Sequence, residues 1–195
     1  MTSKTRVFVA TTVFTALFAA TAVAEEPHVG PMKEFAEAQV AAWIQDPSVV
    51  EAIKAQNSKH AGLTESEIGS LDQQWRSETG AASQPFIDKV LKNALSQHLA
   101  SLKDGQQGLV TEIFVMDNKG LNVGQSDVTS DYWQGDEAKW KKTYLAGPDA
   151  VFVDEVEQDE STQMFQSQLS MAITDPASGE VIGAITVGVN VDDLL

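Results

Sequence analysis

Residues 179–191 read Gly179-Glu180-Val181-Ile182-Gly183-Ala184-Ile185-Thr186-Val187-Gly188-Val189-Asn190-Val191, and this stretch decides the fold. Successive side chains of a strand point to opposite faces. Val181, Ile185, Val187 and Val189 therefore share one face, and Ile182 and Ala184 share the other. Apolar residues on both faces mark a strand covered on both sides, in the middle of a sheet.

The neighbouring segments supply the rest of that sheet. Asp175-Pro176-Ala177-Ser178-Gly179 suits a hairpin loop, so residues 163–174 form the strand before it. Residues 150–156 form another. Residues 110–117 and 121–125 flank Asn118-Lys119-Gly120 and make a first hairpin. Between the hairpin and the later strands, residues 136–145 have the spacing of a short amphipathic helix, ended by Gly147-Pro148.

Upstream the period changes from two to between three and four. Phe86, Ile87, Val90, Leu91, Ala94, Leu95, Leu99 and Leu102 make one wide apolar face, which predicts a single long helix over 84–103. Thr64-Glu65-Ser66-Glu67 is a capping box that opens a helix to about Glu78. Residues 31–45 and 48–56 read as two further helical pieces separated by Asp46-Pro47, because proline cannot donate the helical hydrogen bond. The expected fold is α+β: a five-stranded antiparallel sheet with the long helix packed across one face.

Composition narrows the function. The chain carries 28 acidic and 13 basic residues, a net charge of −15, which repels nucleic acid and anionic lipid. It has no cysteine, which excludes thiol catalysis and cysteine-ligated metal sites. Lys4 and Arg6 precede an uncharged apolar run over 7–22, and Ala22-Val23-Ala24 follows. That is the pattern of a secretory signal peptide cut after Ala24. The run is shorter than the roughly 20 residues a membrane span needs. A periplasmic or secreted protein without membrane insertion after cleavage is expected, divided as leader 1–24, helical segment 25–80 and sheet-bearing segment 81–195, the last two forming one globular unit.

Three pieces of this chain resemble the Cache sensor domain, the extracytoplasmic relative of the PAS fold. They are Ile113-Phe114-Val115-Met116-Asp117-Asn118-Lys119-Gly120 with Gly124-Gln125-Ser126; Thr129-Ser130-Asp131-Tyr132-Trp133-Gln134-Gly135-Asp136-Glu137; and Ile173-Thr174-Asp175 followed by residues 179–189. The resemblance implies a PAS-like sheet and a small-molecule pocket between the sheet and the segment joining its second and third strands. It implies no reaction and no cofactor. In most such proteins a transmembrane helix follows the last strand and leads to a kinase, cyclase or chemoreceptor. This sequence ends at Asp192-Asp193-Leu194-Leu195, so the expectation is a free-standing sensor whose output passes through a separate membrane receptor or kinase.

Candidate ligand-binding residues follow from side-chain chemistry. Asp131, Tyr132 and Trp133 offer a carboxylate beside two aromatics, which suits an amine or amino-acid-like solute; the alternative is that they cap the core and a turn. Phe114 and Met116 would floor the pocket, with Ile113 and Val115 on the opposite face. Gln166 and Gln168 form a polar row in an interior strand that needs partners, whether ligand, water or open solvent. Gln125 and Trp140 complete the set. The acidic run Asp154, Glu155, Glu157, Asp159, Glu160 lacks a calcium-loop pattern and reads as a solvated turn, so no metal is expected. His28, in the N-terminal tail, His60 and His98 are scattered, and no catalytic motif is present. The reading is a binding module rather than an enzyme, set against a structural protein whose pocket its own side chains fill and, third, a carboxylate-based hydrolase.

Overall fold

The computed structural model describes residues 26–158 and 164–195. The expected leader, and Asp159 and Glu160 of the acidic run, lie outside the described residues. The helices come first. α1 (Val29–Phe35) runs through a π-helical turn (Ala36–Val40) into α2 (Ala41–Trp43), and Met32, Phe35, Ala36, Val40 and Trp43 all turn inward. His28 just ahead of α1 is buried, not part of a loose tail, and its Nε2 lies 3.0 Å from the Asp154 carbonyl.

α3 (Pro47–His60) starts where expected, with Asp46 accepting from the Ser48 amide at 2.8 Å, and continues four residues beyond Gln56. α4 (Glu65–Thr79) begins with both halves of the capping box formed: Glu67 N donates to Thr64 Oγ1, and Thr64 N donates to Glu67 Oε2.

The single long helix is corrected to two, α5 (Pro85–Leu91) and α6 (Ala94–Gly105). Asn93 takes an extended conformation and its side chain accepts from the Ser96 amide at 2.7 Å, so a new helix is capped there. The apolar period passes through the break without a signal, because the two pieces serve different cores. Ile87 and Val90 pack with Ile68, Trp75 and Tyr132. Leu95 and Leu99 pack with the sheet.

The sheet is antiparallel throughout, with order β2 (Asn122–Gln125), β1 (Val110–Met116), β6 (Val181–Asn190), β5 (Phe165–Thr174), β3 (Val151–Val153). The five expected strands are present, β3 shorter than its 150–156 stretch. A two-residue β4 (Glu157–Gln158) adds to β5. β6 is central, as its two apolar faces required. Ile185, Val187 and Val189 lie with Ile113, Val115 and Leu169 under α6 and the N-terminal helices. Phe114, Met116 and Ala184 form the opposite face, under Trp140 and Tyr144.

Ile182 departs from strict alternation and packs with the first face, because the register shifts at Thr174 and Val181. The expected helix over 136–145 contracts to α7 (Ala138–Lys141) followed by turns, and the chain closes with α8 (Val191–Leu194).

The first hairpin turn is tied to α3 by a fully buried carboxylate. Asp117 Oδ1 accepts from the amides of Lys119 and Leu121 at 2.8 and 3.0 Å. Its Oδ2 accepts from Gln56 Nε2 at 3.0 Å and lies 3.0 Å from His60 Nδ1. Gly120 in the turn has φ +80°, and a Cβ there would run into the backbone of Gly135. Only glycine lets the turn and the 131–135 loop touch, and Gln134 N donates to Gly120 O at 2.7 Å across that contact.

Candidate functional site

Antiparallel register assembles one cross-strand row on the sheet face opposite α6. Gln125, Phe114, Thr186, Ser170 and Phe152 stand side by side from β2 to β3. Ser170 and Thr186 share a hydrogen bond of 2.9 Å between their hydroxyls. The next row toward the hairpin turn is Met116, Ala184 and Ala172, and the row on the other side is Glu112, Gly188 and Gln168. Gly188 lies under the side chains of Thr111 and Glu112, where a Cβ would collide with them, so β1 and β5 side chains can meet across β6.

The segment between β2 and β3 covers it. Trp140 stacks on Tyr144 with ring centroids 4.8 Å apart, and its Nε1 donates to Asp117 O at 3.1 Å. Burial, then the charge of Asp117, pushes the Tyr144 phenol up. Two lysines of the same segment lie over aromatic rings of the sheet. Lys139 Nζ is 5.4 Å from the Phe114 ring centroid, and Lys142 Nζ is 4.1 Å from that of Phe152.

Lys139 also pairs with Glu137 Oε2 at 2.9 Å, and its side chain is only 13 % exposed. An ammonium held between an aromatic face and a carboxylate, largely out of water, is a cation cage. A small cavity of about 170 Å³ adjoins it, lined by the carboxylates Glu137, Asp154, Glu155 and Glu157 with Lys139, Gln166, Ser167 and Gln168. Its volume is below the 300–1,000 Å³ of drug-sized sites, so it suits a small solute.

Of the residues singled out in the sequence, Phe114, Met116, Gln125, Trp140, Gln166 and Gln168 are brought to this face. The glutamines find protein partners: Gln166 and Gln168 of β5 reach across β6 to β1, and Gln125 bonds just beyond its own strand. Gln168 Nε2 donates to Glu112 Oε1 at 2.8 Å, and Gln166 Oε1 accepts from Thr111 Oγ1 at 3.0 Å. Gln125 Nε2 donates to Asp127 O at 2.8 Å.

Asp131, Tyr132 and Trp133 go elsewhere, toward α4 and α5. Tyr132 stacks on Trp75 at 5.5 Å and meets the edge of Phe86 at 4.7 Å. Burial, then the charge of Asp117, pushes its phenol well above the usual range. Trp133 Nε1 donates to Lys119 O at 2.8 Å. Asp131 lies 2.6 Å from Arg76 Nη1, and Arg76 also holds Asp72, whose other oxygen accepts from the amides of Tyr132 and Trp133. The tripeptide thus pins the covering segment to α4.

The composition-based reading missed Lys139, Glu137, Glu112 and Thr186. One signal was available: Lys139, Lys141 and Lys142 put three lysines in four positions of an acidic chain. Among the described residues no group of His, Asp and Glu could hold a metal ion. Among the same residues, no helix is long and apolar enough to cross a membrane.

No protein-family model matches the chain, and no curated protein does. Solved structures do. The sensor domain of the Vibrio cholerae histidine kinase DctB is 13% identical with a TM-score of 0.44, over 86% of this chain and 56% of that one. The ligand-binding domain of the Campylobacter jejuni chemoreceptor Tlp3, in complex with 4-methylisoleucine, is 14% identical with a TM-score of 0.40, over 83% of this chain and 64% of that one. The ligand-binding domain of the Pseudomonas aeruginosa amino-acid chemoreceptor PctC, in complex with GABA, is 12% identical with a TM-score of 0.37, over 86% and 62%. The chain therefore spans less than two thirds of the length of each. All three are sensory or ligand-binding domains, and the ligands named belong to those proteins' own sites.

Proposed function

We propose that this chain is an extracytoplasmic Cache-type sensor module that binds a small amine or amino-acid-like solute on the sheet face beneath residues 127–147. The observation that carries the reading is the caged ammonium of Lys139, set between the Phe114 ring and the Glu137 carboxylate. A site that holds the chain's own cation in this way has the chemistry to hold a ligand's. The surrounding carboxylates and the net charge of −15 favour the same class of solute.

Ligand entry displaces Lys139 and so loosens α7 from Phe114. The covering segment is also fastened to Asp117 through Trp140 and to Arg76 through Asp131, so that movement reaches α3 and α4. A membrane receptor or kinase reads the change only to the extent that the solute binds one arrangement more tightly than the other. Export through the 1–24 leader places the module where such solutes arrive. No catalytic step is part of the reading.

The test is a thermal-shift screen of amines, amino acids, short organic acids and purines. A ligand at a hundred times its dissociation constant adds about 2.7 kcal/mol of stability. Glu137→Gln is expected to abolish the shift given by amines and to leave the unliganded protein folded, since Glu137 is one-third exposed. An amine shift of the same size in Glu137→Gln would overturn the assignment. The filled cage also favours a second reading, a structural or interaction protein with a self-filled pocket, and a screen in which no amine stabilises the protein would select it.

A further inference from the structure

On the other side of the covering segment, α3, α4, α5 and β2 border a cleft of about 500 Å³ with the reverse chemistry. Its charged lining is Lys59 and Lys89, and no carboxylate among the described residues lines it. In a chain where acidic residues outnumber basic ones 28 to 13, that is a local inversion of charge. Neither lysine forms an ion pair among the described residues.

The carboxylates behind the cleft are committed elsewhere. Glu78 accepts from the amides of Phe86 and Ile87 at 2.7 and 3.1 Å, closing the start of α5. Asp117 is held by the hairpin turn, Gln56 and His60. His60 is 7% exposed, and because its Nδ1 faces Asp117, Nε2 is the ring atom left for the cleft.

The apolar part of the lining is aromatic and aliphatic: Phe86 and Tyr132, in edge contact with each other, with Val90 and Val123. Tyr132 is buried against Trp75, so the ring surface open to the cleft is that of half-buried Phe86, which can take a further ring edge-on or offset. An adjoining hollow of about 310 Å³, lined by Ala52, Ala55, Ala94 and Leu95, shares Gln56, Lys59, Asn93 and Val123 with the cleft and lengthens its apolar floor.

We propose that this cleft is a second binding site, for an aromatic carboxylate whose ring packs on Phe86, over buried Tyr132, and whose anion is held by Lys59 and Lys89. The cleft and the Lys139 cage meet the same covering segment from two sides, since Tyr132 anchors that segment and Trp140 lies on it. A carboxylate in the cleft therefore bears on the same element as an amine at the cage.

The probe is phenylacetate, with phenylacetamide as its neutral counterpart, followed by calorimetry and by amide NMR of the full chain. Phenylacetate is expected to bind at millimolar concentration or below and to move the amide signals of Lys59, Lys89, Val123 and Tyr132. Phenylacetamide should bind at least tenfold more weakly, and Lys59→Met/Lys89→Met should lose at least tenfold in phenylacetate affinity. Both lysines are exposed and unpaired, so that variant keeps its fold. Glu137→Gln should bind phenylacetate as the parent does, which separates this site from the amine cage. No phenylacetate binding at millimolar concentration, equal affinity in the double variant, or equal affinity for phenylacetamide would each overturn the proposal.

Discussion

Asp117→Ala is expected to cost about 3–5 kcal/mol of folding stability, measured by urea unfolding. The side chain is fully buried and satisfies two turn amides, Gln56 and His60 at once. A hydrogen bond to a charged group contributes about 1.5–3 kcal/mol, and each buried donor left without a partner costs about 1–3 kcal/mol. Not all four losses add in full, because Lys119 is partly exposed and its amide can turn to water. Asp117→Asn separates acceptor from charge. It retains an oxygen for the turn amides but sets an NH2 against the Gln56 donor, so an intermediate loss is expected. A loss below about 1 kcal/mol for Asp117→Ala would mean that the hairpin turn and α3 are not joined through this residue.

Trp75→Ala is expected to be comparably severe, about 3–5 kcal/mol, the usual range for removing a buried Trp or Phe. In a chain of this size that lowers Tm by roughly 2–4 °C for each kcal/mol. Trp75 is fully buried, stacks on Tyr132, meets Phe86 edge-on and donates from Nε1 to Thr129 O at 2.8 Å. The effect should also be local. Hydrogen exchange at the amides of Tyr132 and Trp133, now bonded to Asp72, should quicken more than exchange in β6. Trp75→Phe keeps a ring in the stack and is expected to recover most of the loss. Equal exchange in β6 and in the 131–135 loop would show that Trp75 serves the core as a whole instead of the covering segment.

The fold was largely legible because its deciding elements are periodic. β6 announced its central place through apolar residues on both faces, and the Phe114–Met116 alternation sorted the two sides of β1. Thr64 and Glu67 declared a helix start, and both hydrogen bonds of its capping box are formed. What escaped was whatever depends on a contact between distant segments. The break at Asn93 was invisible because the apolar period continues through it; only the destination of each half, the Trp75 cluster or the sheet, distinguishes them. Ile182 was assigned to the wrong face because a register shift leaves no mark in an alternating pattern.

At the site, the sheet-borne candidates came together because register is set by alternation. The direction taken by Asp131, Tyr132 and Trp133 was not legible, since an aromatic pair beside a carboxylate suits a ligand pocket and a helix anchor equally. Asp72, sixty residues upstream of Tyr132, decides it together with the Arg76 it pairs with. Lys139 was passed over because a lysine beside other lysines reads as solvated surface. Its partners, Phe114 and Glu137, lie on a strand and a loop that only the fold brings together.

The proposed function treats the Lys139 cage as an amine site occupied by the chain's own cation. Calorimetric titration of Lys139→Met with n-butylamine tests it most directly, because that probe carries no carboxylate to engage the second cleft. Cation–π contacts are worth about 0.5–2 kcal/mol, so removing the internal competitor should tighten amine binding roughly twofold to thirtyfold relative to the parent chain. Affinity equal to or weaker than the parent's, or no binding to either chain, would overturn the amine-site assignment.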